Sequence, residues 1–121
     1  MEETLVLVVF FAFLFCLTWL SEFFITWLFL RKKFRAKQIL YFSFLINLLS
    51  WPLANLLYSA FSGVYGYFAI ELGVFLAEAL LIALLFRIGY WKSLLISFAA
   101  NLTSAFIGIF WWILLLVIGL Y

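Results

Sequence analysis

Long apolar runs, separated by short basic or glycine-bearing breaks, set the pattern of this chain. They cover about 5–30, 39–58, 68–86 and 93–121, close to or beyond the roughly 20 residues a helix needs to cross a bilayer. The runs are continuous and lack a period-two alternation. Hydrocarbon also demands that backbone groups pair within the segment, so helices are predicted rather than a barrel. The polar residues inside the runs are ordered. Thr18, Glu22 and Thr26 repeat at a four-residue spacing on the first span, and Ser43, Asn47, Ser50 and Ala54 form a stripe on the second. Glu71 and Glu78 stand within about 20° of one another on the third span. Ser97, Asn101, Ser104 and Gly108 mark the fourth. Each predicted helix therefore offers one polar or small-residue face to a common seam.

The pattern also repeats. Ser43-Phe44-Leu45-Ile46-Asn47-Leu48-Leu49-Ser50 returns as Ser97-Phe98-Ala99-Ala100-Asn101-Leu102-Thr103-Ser104, both reading Ser-Phe-x-x-Asn-Leu-x-Ser. Upstream, Glu22 precedes Arg31 by the same nine residues that separate Glu78 from Arg87. Leu and Phe matches are cheap in apolar sequence. The four polar pairs (Ser43/Ser97, Asn47/Asn101, Ser50/Ser104, Glu22/Glu78) are what chance explains poorly, and they predict a duplicated helical hairpin. Pro52 falls inside the second span. Neighbouring helices tolerate such a kink, and a Ser or Asn side chain can satisfy the carbonyl it frees near Leu48. Residues 59–67, with Ser62-Gly63 and Gly66, predict a short turn.

Composition narrows the class. The 121 residues are 71% hydrophobic and 10% charged, against about 45–50% and 25% for soluble domains, which predicts one lipid-embedded domain. There is no His and a single Cys, Cys16, so neither an internal disulfide nor a Cys/His metal site can form. The acidic start, Met1-Glu2-Glu3-Thr4, lacks the basic region of a signal peptide, and the first span is expected to be retained. The Asn101-Leu102-Thr103 triplet matches a glycosylation acceptor, but at membrane depth the match is accidental.

Charge supplies the topology. All seven basic residues lie in two turns: Arg31, Lys32, Lys33, Arg35 and Lys37 in the first, Arg87 and Lys92 in the second. Positive-inside sorting explains them without nucleic acid, placing turns 31–38 and 87–92 in the cytoplasm and both termini outside. Residues 31–37 are also expected to touch anionic lipid headgroups. Spans one and three then run the same way, so the halves are parallel repeats about an axis along the membrane normal. The predicted fold is an all-α integral membrane protein, in the plasma membrane, with four transmembrane helices. They form two parallel-repeat helical hairpins, repeat 1 over about 5–58 and repeat 2 over about 68–121. Trp111, Trp112 and Tyr121 are placed at the outer end of the fourth span, where the two tryptophans can equally face lipid.

Depth assembles the candidate site. Glu22 and Glu78 each lie about 13 Å from a turn arginine, and Asn47 and Asn101 about 12 Å from Ile39 and Ser93. These four predict a ring of two carboxyls and two carboxamides near mid-bilayer, with Ser43 and Ser97 a turn below and Ser50 and Ser104 a turn above. Glu71, about 10 Å further out, either continues the column with Asn55 or stands in water. An ionisable side chain at helix centre costs about 2.5–3.5 kcal/mol on insertion scales, and no Lys or Arg lies inside the spans to pair with it. What remains is a proton on each carboxyl, water, or a bound cation, for which carboxylate and carboxamide oxygens are the ligand set of Na⁺, Ca²⁺ or Mg²⁺. No other cofactor is implied. Glu22 and Glu78 are expected to titrate as one coupled unit.

Three function classes follow. The first is a small ion- or proton-coupled carrier or channel, expected as a homo-oligomer because four short helices enclose little volume. Its ion- or proton-binding residues are Glu22, Asn47, Glu71, Glu78 and Asn101, supported by Ser43, Ser50, Asn55, Ser97 and Ser104. The second is a non-transporting subunit or assembly factor of a larger membrane complex. On that reading the same ring merely ties helices together, through bonds averaging about 0.6 kcal/mol each. The third, an intramembrane enzyme, lacks His, a reactive Cys, a Ser/Lys pair and a phosphate-binding loop, and is the weakest of the three.

Overall fold

The computed structural model describes residues 1–61 and 63–119. Ser62 of the expected 59–67 turn, and Tyr121, lie outside the described residues. Apolar continuity makes the helices long: α1 runs Glu2–Leu30, α2 Ala36–Ala60, α3 Val64–Phe86 and α4 Tyr90–Val117. All four are long and apolar enough to span a membrane. They begin three or four residues before the expected starts, because the flanking residues are already helical before the apolar run begins. The basic breaks shrink accordingly to 31–35 and 87–89. The first turn is tied by Phe34 N–H donating to the Leu30 carbonyl at 3.0 Å. The second uses Arg87 in the left-handed region (φ 52°) as the C-cap of α3, a place usually given to Gly. Gly63, at φ 97°, opens α3 with a backbone that only glycine adopts readily. The α2 helix continues through Pro52.

Short connections force antiparallel neighbours. The helices close into a ring, α1 against α2, α2 against α3, α3 against α4 and α4 against α1, with α1 facing α3 and α2 facing α4 across the diagonals. All seven basic side chains are exposed at the end formed by the 31–35 and 87–89 turns. Just inside that end lies the apolar core: Leu30, Ile39, Ile46, Ile82, Phe86 and Ile96, with Phe34 and Phe42 packed on it. Phe34 and Phe42 meet Phe86 edge to face at 5.1 and 5.0 Å, a favoured aromatic geometry. Toward the other end the bundle loosens, and residues 1–13 of the chain are exposed throughout.

The outer surface is apolar almost everywhere, from Leu5, Val6 and Leu7 on α1 to Leu80 and Leu84 on α3 and Phe106 and Phe110 on α4. Soluble monomers rarely expose contiguous apolar patches above a few hundred Å². Lipid is the solvent that suits this face, and the inward stripes are where polarity is kept. Trp19 strengthens one seam by donating its indole N–H to the Leu40 carbonyl at 3.2 Å.

Candidate functional site

The inward face of each helix is the one its polar spacing marks. Glu22 and Thr26 of α1, Ser43, Asn47, Ser50 and Ala54 of α2, Glu78 of α3 and Ser97 of α4 are all buried. Asn101 and Ser104 are half-buried beside them, and Gly108 is exposed at the loosened end. Each span thus brings its stripe to one axis, as the shared depth of Glu22, Glu78, Asn47 and Asn101 predicts.

Side-chain bonds then bind the helices at this level. The Glu78 carboxyl accepts from Ser50 Oγ on α2 at 2.7 Å and from Asn101 Nδ2 on α4 at 2.6 Å. One carboxyl therefore joins three helices. Glu22, on the opposite helix, lines the same cavity as Asn47 of α2 and Ser104 of α4. The counterparts of the Glu78 donors thus stand around that cavity with Glu22, but Ser104 Oγ donates to the Asn101 carbonyl at 3.0 Å. Both asparagines also donate back one turn, Asn47 to the Ser43 carbonyl and Asn101 to the Ser97 carbonyl, each at 2.9 Å.

Above the carboxyls is a cavity of about 230 Å³. Its deep end is lined by Glu22, Asn47, Glu78 and Asn101, its middle by Thr18, Ser50 and Ser104, and its wide end by Trp51, Asn55, Tyr58, Tyr67 and Glu71. It widens away from the basic end, and the apolar core around Phe86 closes it below. Glu71 sits at the mouth, half-buried, and takes a bond from the Tyr58 hydroxyl. Asn55 reaches the same cavity but is largely exposed and donates to the Trp51 carbonyl at 2.8 Å. The partner of Glu71 is thus Tyr58 and not Asn55. Tyr58 and Tyr67 stack at 5.4 Å across the α2–α3 seam and complete the mouth.

Tyr58, Tyr67 and Trp51 did not stand out in the sequence, because aromatic residues are frequent along every span. The signal for Tyr58 is its place four residues beyond Ala54, on the continuation of the α2 stripe. Ser97 is fully buried, with its hydroxyl donating to the Phe75 carbonyl at 2.9 Å. Ser43 is buried as well, but its hydroxyl has no hydrogen-bond partner among the described residues. No group of three or more Asp, Glu, His or Cys side chains comes together among those residues, so the acidic site is built on two carboxyls with Glu71 apart.

The chain matches no family model, no curated protein and no solved structure. What it does must therefore be read from these residues.

Proposed function

We propose that the protein is a small ion- or proton-coupled membrane carrier whose binding chamber is the central cavity. The observation that carries this reading is a polar chamber of about 230 Å³ with two buried carboxyls at its closed end and no basic residue to neutralise them. Carboxyls kept in an apolar bundle without a cationic partner favour a mobile positive charge, a proton or a metal cation. The apolar core argues for a carrier over an open pore. Leu30 and Ile39 are fully buried and Phe86 is 2% exposed, so an ion at Glu22 meets a wall on the basic side. Alternating access would part that wall while drawing Tyr58 and Tyr67 together over the mouth. With the basic turns cytoplasmic, the described state faces outward.

The gathering of Glu22, Asn47 and Ser50 with Glu78, Asn101 and Ser104 around one cavity also supports the duplicated-hairpin reading, since a two-fold axis along the bundle would exchange the two sets. The test is ion flux through the purified protein in sealed liposomes. A sodium gradient should drive proton movement, or the reverse, with saturation. Flux equal to that of protein-free liposomes for both ions would end the carrier reading.

A second reading, the membrane subunit, is favoured by one feature. A second groove, of about 460 Å³, lies between α2 and α3, lined by Leu53, Leu57, Gly66, Ala69, Gly73 and Ala77 and sharing Ser50 and Val74 with the central cavity. A Cβ added at Gly73 would meet nothing within 4 Å, and small residues in such a row let another helix approach closely. A subunit should purify poorly without its complex. A carrier should purify alone as a defined oligomer.

A further inference from the structure

We infer that Glu22, Glu78, Asn47 and Ser43 form a sodium-ion site in a small pocket beneath the central cavity; that this ion is the one coupled to transport rests on the carrier reading above. The deciding atom is Ser43 Oγ. Serines within helices usually turn the hydroxyl back to a carbonyl of the preceding turn. Ser21, Ser59, Ser93 and Ser104 do so at 2.6–3.0 Å. Ser97, the counterpart of Ser43 in the second hairpin, instead crosses to the Phe75 carbonyl at 2.9 Å. Ser43 does neither. It is 3% exposed and its oxygen is unpartnered among the described residues. A buried hydroxyl without a partner is disfavoured, so its persistence points to a ligand for that oxygen.

The surroundings name the ligand. Ser43 lines a pocket of about 10 Å³ together with Glu22, Glu78 and Asn47, room for one water-sized particle. Ile46 and Ile82 close the apolar side. The Thr26 hydroxyl at the same level is already committed to the Glu22 carbonyl at 2.8 Å. Two glutamates, an asparagine and a serine line this one pocket, and their side chains supply hard oxygens.

The pocket leaves no space for water accompanying the ion, so the ion must enter stripped. The penalty for stripping rises with the square of the charge. Mg²⁺ keeps several waters and Ca²⁺ seeks six to eight oxygens. This pocket has no room for the waters, and six oxygens are reached only if both carboxyls bind through both oxygens, while those of Glu78 already accept from Ser50 and Asn101. A singly charged ion fits, and carboxylate ligands favour the smaller alkali ion through its shorter charge separation. That ion is Na⁺. It neutralises one of the two carboxyl charges and leaves the other facing the wide cavity above.

The test uses the purified full chain in detergent, with thermal unfolding followed as NaCl replaces choline chloride at constant ionic strength. Wild type should gain roughly 5 °C for each tenfold rise in Na⁺ beyond saturation. K⁺ should act only at higher concentration. Ser43→Ala removes one ligand oxygen and no existing hydrogen bond. It should be as stable as wild type in choline alone, yet need about tenfold more Na⁺ for half its effect. Ser93→Ala is the control: it loses the bond from a buried serine to the Tyr90 carbonyl at 2.9 Å, is less stable in both salts, and keeps the wild-type Na⁺ response.

Equal unfolding of wild type in NaCl and choline chloride would overturn the site. So would an unchanged Na⁺ midpoint in Ser43→Ala, which would mean that water fills the pocket. The carrier reading fails separately. Sodium-specific stabilisation without any flux in liposomes leaves the site standing and removes transport. Proton flux without a sodium effect on unfolding does the opposite.

Discussion

Replacing Glu78 by Gln separates the charge of the carboxyl from its shape. In the folded chain this side chain accepts from Ser50 at 2.7 Å and from Asn101 at 2.6 Å. Glutamine offers one oxygen and one nitrogen. The oxygen can keep the Asn101 bond while the nitrogen donates to Ser50 Oγ, because a hydroxyl accepts as well as donates. The reverse placement would force the Asn101 carboxamide to turn and break its 2.9 Å bond to the Ser97 carbonyl. Glu78→Gln should therefore keep both bonds and lose only the strengthening that a charged acceptor gives them. That difference is the step from about 1.5–3 kcal/mol for a bond to a charged group to about 0.6 kcal/mol for an ordinary interhelical bond in a membrane. Against this, a neutral amide is easier to hold in an apolar bundle than an acid that costs about 2.5–3.5 kcal/mol to insert. The two terms oppose one another, and the unfolding midpoint should move by less than about 5 °C in either direction.

Transport should respond on another scale. A side chain that can neither release a proton nor balance a cation removes a charge interaction of at least about 3 kcal/mol, or roughly 100-fold in exchange rate. The assay is sodium–proton exchange in liposomes beside thermal unfolding of the same preparation. Glu22→Gln should lose exchange in the same way, because Glu22 is buried and lines the same cavity as Glu78. The reasoning is refuted if both Gln variants exchange ions at the wild-type rate while Ala at either position loosens the bundle, for then the carboxyls serve only to hold helices together.

Three further outcomes are expected. Single cysteines replacing Lys33 or Tyr65, in a Cys16→Ala background, should label with an impermeant thiol reagent on intact cells only at position 65; the reverse pattern would invert the topology. Phe86→Ala removes the ring that Phe34 and Phe42 pack against, at about 3–5 kcal/mol by analogy with soluble cores; liposomes carrying it should leak ions passively, and tight liposomes would show that the apolar core is no barrier. Tyr58→Phe deletes the hydroxyl bonded to Glu71 and should raise the half-saturating ion concentration about five-fold, from about 1 kcal/mol of lost hydrogen bonding, with unfolding nearly unchanged.

Much of this arrangement was legible in the residue pattern. Apolar runs of membrane-spanning length leave the backbone no option but helix, and the basic turns bring all seven cations to one end. The inward faces follow as well, because the helical period places Ser43, Asn47, Ser50 and Ala54 on one stripe wherever the helix packs. Helix ends were misplaced by a few residues, since hydropathy marks lipid contact and not backbone bonding.

Tertiary structure alone decided which stripe residues meet. Spacing along a helix cannot say that Glu78 takes its serine from α2 and its asparagine from α4, because those contacts depend on how four cylinders rotate against one another. It cannot separate Ser43 from Ser97 either. The two occupy the same place in the repeated motif, yet one hydroxyl reaches the Phe75 carbonyl and the other has no partner among the described residues and belongs to a residue lining a pocket with two glutamates. The cavity mouth was hidden for a related reason. Tyr58 and Tyr67 are ordinary aromatic residues in sequence, and only the packing of α2 on α3 stacks them beside Glu71.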